Sequence, residues 1–467
     1  MIDGSDMNRR PRPSRRDALR VASSGFGLLA LAGMARGARA PLALQDSRGP
    51  HLQPRAKRVI FLCMSGAPSH VDTFDHKPEL VARNGATLSG VRRGAKLLAS
   101  PFEFKPRGKS GLMISELFPK LGAHADDMCL LRGMHTDVPV HAQATTMMHT
   151  GSFQFVRPSM GAWTLYGLGS ENRDLPGFVT INPPTGGGGA QNYGSAFLPA
   201  THQGLRIGLA RSGRNQRGAN APVDDIANPR QGKELQRKQL DLVKKLNEER
   251  AKRSADADEI EAVIESYELA FRMQSELPEL LDLSREKKET LEMYGVGQGE
   301  TDRFGRQCLI ARHLAEAGVR FIEVGIGGWD HHRNLREELT QSCRSIDQPI
   351  AALLKDLKDR RLLEETLVIW GGEFGRTPYA QGTDGRDHNH LGFTTWMAGG
   401  GVKGGLSYGG TDENGIEAVS GRMSIHDWHA TILHLMGVDH ERLTYPYAGR
   451  DFRLTDVHGE VATDILS

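Results

Sequence analysis

Apolar residues in this chain recur in two rhythms. Short unbroken runs at 58–64, 128–132, 319–324, 366–370 and 393–398 have the length and β-branched content of buried strands. Helical spacing instead marks 141–151, 302–317, 346–363 and 426–437. Gly151, Gly318 and Gly437 stand where a left-handed residue closes a helix, and Asp427 lies near the start of the last one. Strand, polar loop, helix, strand is the pattern of a doubly wound α/β sheet. Ligands bind such sheets outside the carboxyl ends of strands, which directs attention to the loops after 58–64, 319–324 and 366–370.

Three stretches depart from this pattern. Residues 85–112, rich in Gly, Arg and Lys, read as a surface excursion. Residues 174–225 carry the run Gly186 to Gly189 and several prolines, so long loops and short strands are expected there. Between about 230 and 294 the composition turns charged and poor in β-branched residues. Leu235, Leu240, Leu242, Val243 and Leu246 mark one helical face, Ile260, Val263, Ile264, Tyr267 and Phe271 another, and Pro278 interrupts the second. The simplest reading is a helical insertion lying against or over the core, with a lid or a dimerisation arm as the other readings.

At 467 residues the chain is long enough for one large domain or two. Its formal charge of +2 is set by the N-terminus. The first 40 residues hold eight Arg and three Asp, which leaves 51 basic and 54 acidic side chains, a charge of −3, on the rest. That balance argues against a nucleic-acid partner. The four cysteines, Cys63, Cys129, Cys308 and Cys343, are scattered without a Cys-x-x-Cys pair, so buried thiols are expected rather than a disulfide framework.

The N-terminus itself has a basic segment from Arg9 to Arg16, a weakly apolar run over 21–34 and the small-x-small site Ala38-Arg39-Ala40. Within it, Ser14-Arg15-Arg16-Asp17-Ala18-Leu19 resembles the twin-arginine export signal. Residues 1–40 are therefore read as a signal peptide, 41–57 as a polar linker and 58–467 as the folded domain. The apolar run is shorter than the ~20 residues a membrane span needs, and no permanent span is expected.

The chemistry-bearing residues gather where the sheet pattern puts them. Glu373, Arg376 and Thr377 follow the run 366–370, and Asp384, Arg386, Asp387, His388, Asn389 and His390 come next, as a loop. Asp330, His331, His332 and Asn334 follow the run 319–324. Carboxylates and imidazoles from separate segments suit Zn²⁺ or a similar divalent ion. The candidate ligands are Asp330, His331 or His332, Glu373, and His388 or His390. Arg376 is placed to grip an anionic group in a bidentate fork. His141 opens the helix over 141–151, and a helix N-terminus offers free amide groups to an anion. Ser65-Gly66-Ala67-Pro68, followed by Asp72 and Asp75, suits either a ligand site or an Asx-type turn.

Several blocks carry a family resemblance: residues 63–78 (Cys-Met-Ser-Gly-Ala-Pro-Ser-His-Val-Asp-Thr-Phe-Asp-His-Lys-Pro), 327–332 (Gly-Gly-Trp-Asp-His-His), 371–378 (Gly-Gly-Glu-Phe-Gly-Arg-Thr-Pro), 385–389 (Gly-Arg-Asp-His-Asn), 396–405 and 426–429. Throughout 58–467 the chain resembles the bacterial family called domain of unknown function 1501, common in planctomycetes and related bacteria. The resemblance implies an alkaline-phosphatase-like α/β core shared with sulfatases, with a mostly parallel central sheet flanked by helices. It departs from the sulfatase pattern. None of the four cysteines has the Cys-x-Pro-x-Arg context, so no formylglycine is expected, and His141 falls where that cysteine would be. The first strand ends in Ser65-Gly66 rather than aspartates, and Glu373-Phe374 replaces an Asp-His pair.

The expected function is an exported, metal-dependent hydrolase of a phosphate or sulfate ester, periplasmic or extracellular. Asp330, His332, Glu373 and His388 would hold the metal, Arg376 the anion, and His141 would act as nucleophile or acid/base. The alternative is a non-catalytic member of the fold that binds a sulfated polysaccharide or a cell-surface partner.

Overall fold

The computed structural model describes residues 49–88, 94–183, 186–209, 232–251 and 257–467. Residues 1–48, which hold the expected signal peptide and the first part of the expected linker, lie outside the described residues. The centre of the fold is strand β1, Arg58–Ser65, buried along almost its whole length. Its alternate residues serve two cores. Ile60, Leu62 and Met64 face one apolar cluster, while Val59, Phe61 and Cys63 face the other. A strand covered on both faces needs apolar residues at every position, which explains its unbroken run.

Around β1 the sheet is built from β2 (Met128–His135), β3 (Phe178–Ile181), β4 (Leu205–Ile207), β5 (Phe321–Gly327), β6 (Thr366–Gly371), β9 (Phe393–Ala398), β10 (Leu406–Tyr408) and β11 (Met423–Ser424). The order is β10-β2-β9-β6-β1-β5-β3-β4, with β11 beside β2. All pairings are parallel except those of β9, which runs against β2 and β6. The expected mixed α/β fold, a mostly parallel central sheet flanked by helices, is what forms. Between β6 and β9 the chain leaves the sheet as a hairpin of β7 (Gly375–Gln381) and β8 (Gly385–Asn389).

Helices α1 (His141–Thr150), α2 (Met160–Leu168) and α7 (Ile425–Leu435) cover one face of the sheet, and α5 (Asp302–Glu316) and α6 (Leu335–Asp359) the other. Gly151 closes α1 in the left-handed conformation, φ 68°. A capping box between Ser424 and Asp427 opens α7. Two sequence expectations need correction here. Helix α6 begins 11 residues before the expected start at 346 and runs through Pro349, because Leu335, Leu339, Cys343, Ile346 and Ile350 continue one buried stripe. Residues 385–389 are not a loop: β8 pairs antiparallel with β7, placing His388 opposite Arg376, with Asp384 in the turn between them.

The insertion forms α3 (Lys233–Ala251) and α4 (Ala257–Leu281), which pack on each other and are tied by a bidentate Arg237–Glu268 pair at 2.7 Å. Helix α4 runs through Pro278 and buries Met273 and Leu277 in the core. The α3 stripe does not cover the core, since Leu235, Leu242 and Leu246 are exposed. Among the described residues no helix is long and apolar enough to cross a membrane.

Candidate metal centre

Strands β6, β1 and β5 are neighbours in the sheet, and the turns at their carboxyl ends meet. The β1 turn is shaped by glycine. Gly66 has φ +109°, and a Cβ there would lie 2.7 Å from the backbone nitrogen of Asp330 and 2.9 Å from that of Trp329. The β5 loop is thus pressed directly on the β1 backbone, which brings Asp330 and His332 over the end of β1. Glu373 follows β6 and is almost fully buried, accepting from the Gly66 amide at 3.0 Å. His141, the first residue of α1, enters from the side.

The hairpin closes the remaining side and is pinned by a buried ion pair. Arg386 donates to Asp72 at 2.6 and 3.0 Å, and to the carbonyls of Thr377 and Leu98 at 3.0 Å. Asp75 pairs with Lys77 and Arg132 and accepts from Thr411. The acids after the β1 turn are therefore structural. Breaking such a fully buried pair by removing one partner costs about 3–5 kcal/mol. Gly385 lets the hairpin rest on the His332 backbone, where a Cβ would collide with the His332 carbonyl.

Four side chains converge: His141, Asp330, His332 and His388 each offer one ligand atom, and these atoms lie within 4.8 Å of one another. The imidazoles are oriented from behind. The Nδ1 of His141 donates to Glu373 Oε1 at 2.6 Å, that of His388 to the Pro139 carbonyl at 2.8 Å, and that of His332 to Gln381 Oε1. Each of these partners is an acceptor, so each neutral ring carries its proton on Nδ1 and turns the Nε2 lone pair inward. His332 Nε2 lies 2.8 Å and His141 Nε2 3.1 Å from Asp330 Oδ1, and the Nε2 atoms of His332 and His388 face each other at 3.2 Å. Phe374 packs against the rings of His141 and His388. The Asp330 side chain is 47% exposed, so the cluster opens to solvent on one side.

Arg376 lies beneath, fully buried. It donates to the carbonyls of Ala67 at 3.0 Å, Gly66 and Arg386, and to Asp330. The donors expected to grip an anion are engaged by the protein itself. Burial works against the charge of Asp330, but Arg376, His141 and His332 outweigh it and hold the carboxyl down at about 2. Burial likewise opposes a charge on His141, yet Glu373 and then Asp330 raise its pKa. Burial lowers that of His388, with the Pro139 carbonyl acting against the shift.

Of the alternatives left open by the sequence, His332 and His388 reach the cluster. The buried His331 instead meets Ser342, its Nε2 3.3 Å from the hydroxyl. Glu373 touches His141 rather than joining the four converging atoms. Gln381 and the Pro139 carbonyl carry no sequence signal of their own, because the hairpin brings each of them together with its partner. A cleft of 1010 Å³ between α3–α4 and the core, lined by residues such as Arg173, Glu248 and Arg272, shares no residue with the cluster.

These features define a class: a doubly wound α/β protein with three imidazoles and a carboxylate gathered at the carboxyl rim of its sheet. The chain belongs to the family described as "Protein of unknown function (DUF1501)", which matches residues 56–466. No protein of curated function matches the sequence. Among solved structures it is similar to the PsFucS1 sulfatase from Pseudoalteromonas sp., with 12% identity over 89% of this chain and 72% of that one and a TM-score of 0.37. It is also similar to the lipoteichoic acid synthase LtaP from Listeria monocytogenes, with 10% identity, 92% and 79% coverage and a TM-score of 0.37. The alkaline phosphatase from the Antarctic bacterium TAB5 is 11% identical over 79% of this chain and 96% of that one, with a TM-score of 0.30.

Proposed function

We propose that the protein is a metal-dependent hydrolase of a phosphate or sulfate ester, with His141, Asp330, His332 and His388 holding a divalent ion. The observation that carries this reading is the shared orientation of the three imidazoles. Each Nδ1 is engaged from behind, and the Nε2 lone pairs converge with an ionised carboxylate. Without an ion, the 3.2 Å approach of the His332 and His388 Nε2 atoms sets two lone pairs against each other. A bound divalent ion supplies Lewis acidity that polarises an ester oxygen.

In this reading neither Glu373 nor His141 keeps the role expected from the sequence: His141 becomes a ligand, and Glu373 stands behind it. Glu373 holds the His141 Nδ1 proton, fixing the ring and raising its basicity as a ligand. Arg376 keeps Asp330 ionised and aimed into the cluster. The open side beside Asp330 receives the anionic ester. One observation favours the alternative, a non-catalytic binder of a sulfated polysaccharide. Among the described residues no serine, threonine or cysteine side chain hydrogen-bonds to the four ligands, and Arg376 has its donors engaged.

The test measures metal content of the mature chain together with turnover of aryl phosphate and aryl sulfate esters. The wild type is expected to hold metal and turn over one ester class, and His388→Ala to lose both. A wild type without metal that stays inactive when Zn²⁺ or Mn²⁺ is added sinks the hydrolase reading. Chelator-insensitive binding of a sulfated polysaccharide by that inactive protein supports the alternative.

A further inference from the structure

Beneath the rim, inside the core, a second group of chemically capable side chains has several polar atoms without a hydrogen-bond partner. Cys63 on β1, His149 near the end of α1 and Glu323 on β5 are each 3% exposed or less. Their Sγ, imidazole nitrogen and carboxylate oxygen lie within 4.8 Å of one another. Neither oxygen of Glu323 has a hydrogen-bond partner, and neither does His149 Nε2. His149 Nε2 approaches Glu323 Oε1 at 3.4 Å, well beyond the 2.7–2.9 Å of a charge-assisted hydrogen bond.

The surroundings look arranged for a ligand. His149 Nδ1 donates to the Thr145 carbonyl at 2.7 Å, which places the neutral ring's lone pair on Nε2, facing the other two groups. Along the sheet, Cys63 is paired with Gly325 of β5 and Gly371 of β6, so neither directly paired residue carries a side chain. Thr180, paired with Glu323 on β3, also has a buried hydroxyl without a partner.

We propose that Cys63, His149 and Glu323 form a second, buried metal site that takes a divalent ion of the Zn²⁺ type and serves the fold rather than the reaction. A thiolate and a carboxylate together cancel the charge of a divalent ion, and imidazole completes a soft-to-borderline donor set that suits zinc. The ion would give Glu323 and His149 the partners they lack. A protonated His149 alone would leave one carboxylate oxygen and the thiol unpaired. Bonds of about 2.0–2.3 Å to one ion require the three ligand atoms to draw in somewhat from their present spread.

Cobalt distinguishes this site from the rim, because only the buried set contains sulfur. The mature chain purified from cells grown with Co²⁺ in place of Zn²⁺ is expected to show a thiolate-to-cobalt charge-transfer band in the near ultraviolet. The same sample should carry two metal ions per chain. Cys63→Ser should lose the band and one ion, while Asp330→Asn, which acts at the rim, should keep the band. Should Cys63→Ser not fold, Glu323→Gln offers a second variant, expected to weaken or shift the band. A wild-type spectrum with cobalt bound but no thiolate band overturns the proposal, and so does a band that survives intact in Cys63→Ser. Either failure leaves the rim's metal content and ester turnover standing as a separate result.

Discussion

The rim and the buried cluster share three elements at two depths, and the hairpin adds His388 at the rim alone. Helix α1 gives His141 at its first residue and His149 at its ninth, about 12 Å farther along the axis. Strand β1 gives the Gly66 turn above and Cys63 below, and β5 gives the Asp330 loop above and Glu323 below. What differs is how charge is balanced. At the rim, Arg376 compensates Asp330, a carboxylate, an amide or a carbonyl stands behind every imidazole, and solvent reaches one side. In the interior, Glu323 faces only the His149 imidazole, 3.4 Å away, and neither of its oxygens accepts a hydrogen bond. An empty rim can therefore persist in water, whereas an empty interior leaves the carboxylate with that single long contact.

The largest effect expected is at the hinge between the two depths. Gly66→Ala places a Cβ 2.7 Å from Asp330 N in a backbone conformation, φ +109°, that L residues rarely adopt. The conformation alone costs about 1–3 kcal/mol, and the collision must also push the β5 loop away. Denaturant unfolding should show a loss of several kcal/mol, and metal titration should show the rim emptied. The buried cluster lies inside the sheet and should keep its cobalt–thiolate band. Loss of the band together with rim metal would mean that the two depths are not separable.

The next effect concerns the interior's dependence on pH. His429 on α7 donates from Nε2 to the Met148 carbonyl at 2.8 Å, one residue before His149. It is fully buried, and burial drives its pKa from 6.5 to about 3, with the charges of His426 and His149 adding to the shift. Between those values the unfolded chain binds a proton that the folded chain refuses, so stability falls as pH drops from 6.5 toward 3. At about 1.4 kcal/mol per pH unit the full effect reaches a few kcal/mol. Urea midpoints measured across that window should fall in the wild type and flatten in His429→Gln. An equally steep fall in the variant assigns the acid sensitivity to other groups.

How much of this was legible follows from range. β1, β6 and β9 announce themselves because strands covered on both faces are apolar throughout, and α1 and α7 because their stops and caps are local. Asp330, His332, Glu373 and His388 stood out because loops at strand ends concentrate chemistry. Their division of labour was not legible. Whether Glu373 faces the cluster or the ring behind it depends on a β1 turn some 300 residues away in sequence. The hairpin, read as a loop, is held by Arg386 reaching Asp72, a pair 314 residues apart. The buried cluster was equally hidden: Cys63, His149 and Glu323 each sit in an ordinary core pattern, and only the tertiary fold sets them together.

The smallest effect separates the two roles open to Glu373. If it fixes His141 from behind, Glu373→Gln keeps the shape and much of the hydrogen bond but removes the charge that raises the ring's basicity. Support of this kind is typically worth 10- to 100-fold in metal affinity, roughly 1.4–2.7 kcal/mol. Isothermal titration of the metal-stripped protein with Zn²⁺ should therefore place Glu373→Gln between the wild type and His388→Ala. A loss as deep as that of His388→Ala would make Glu373 a ligand, as the sequence first suggested. No loss at all would mean that the Pro139 and Gln381 contacts alone orient the rim, with the His141–Glu373 pair serving only to seat α1.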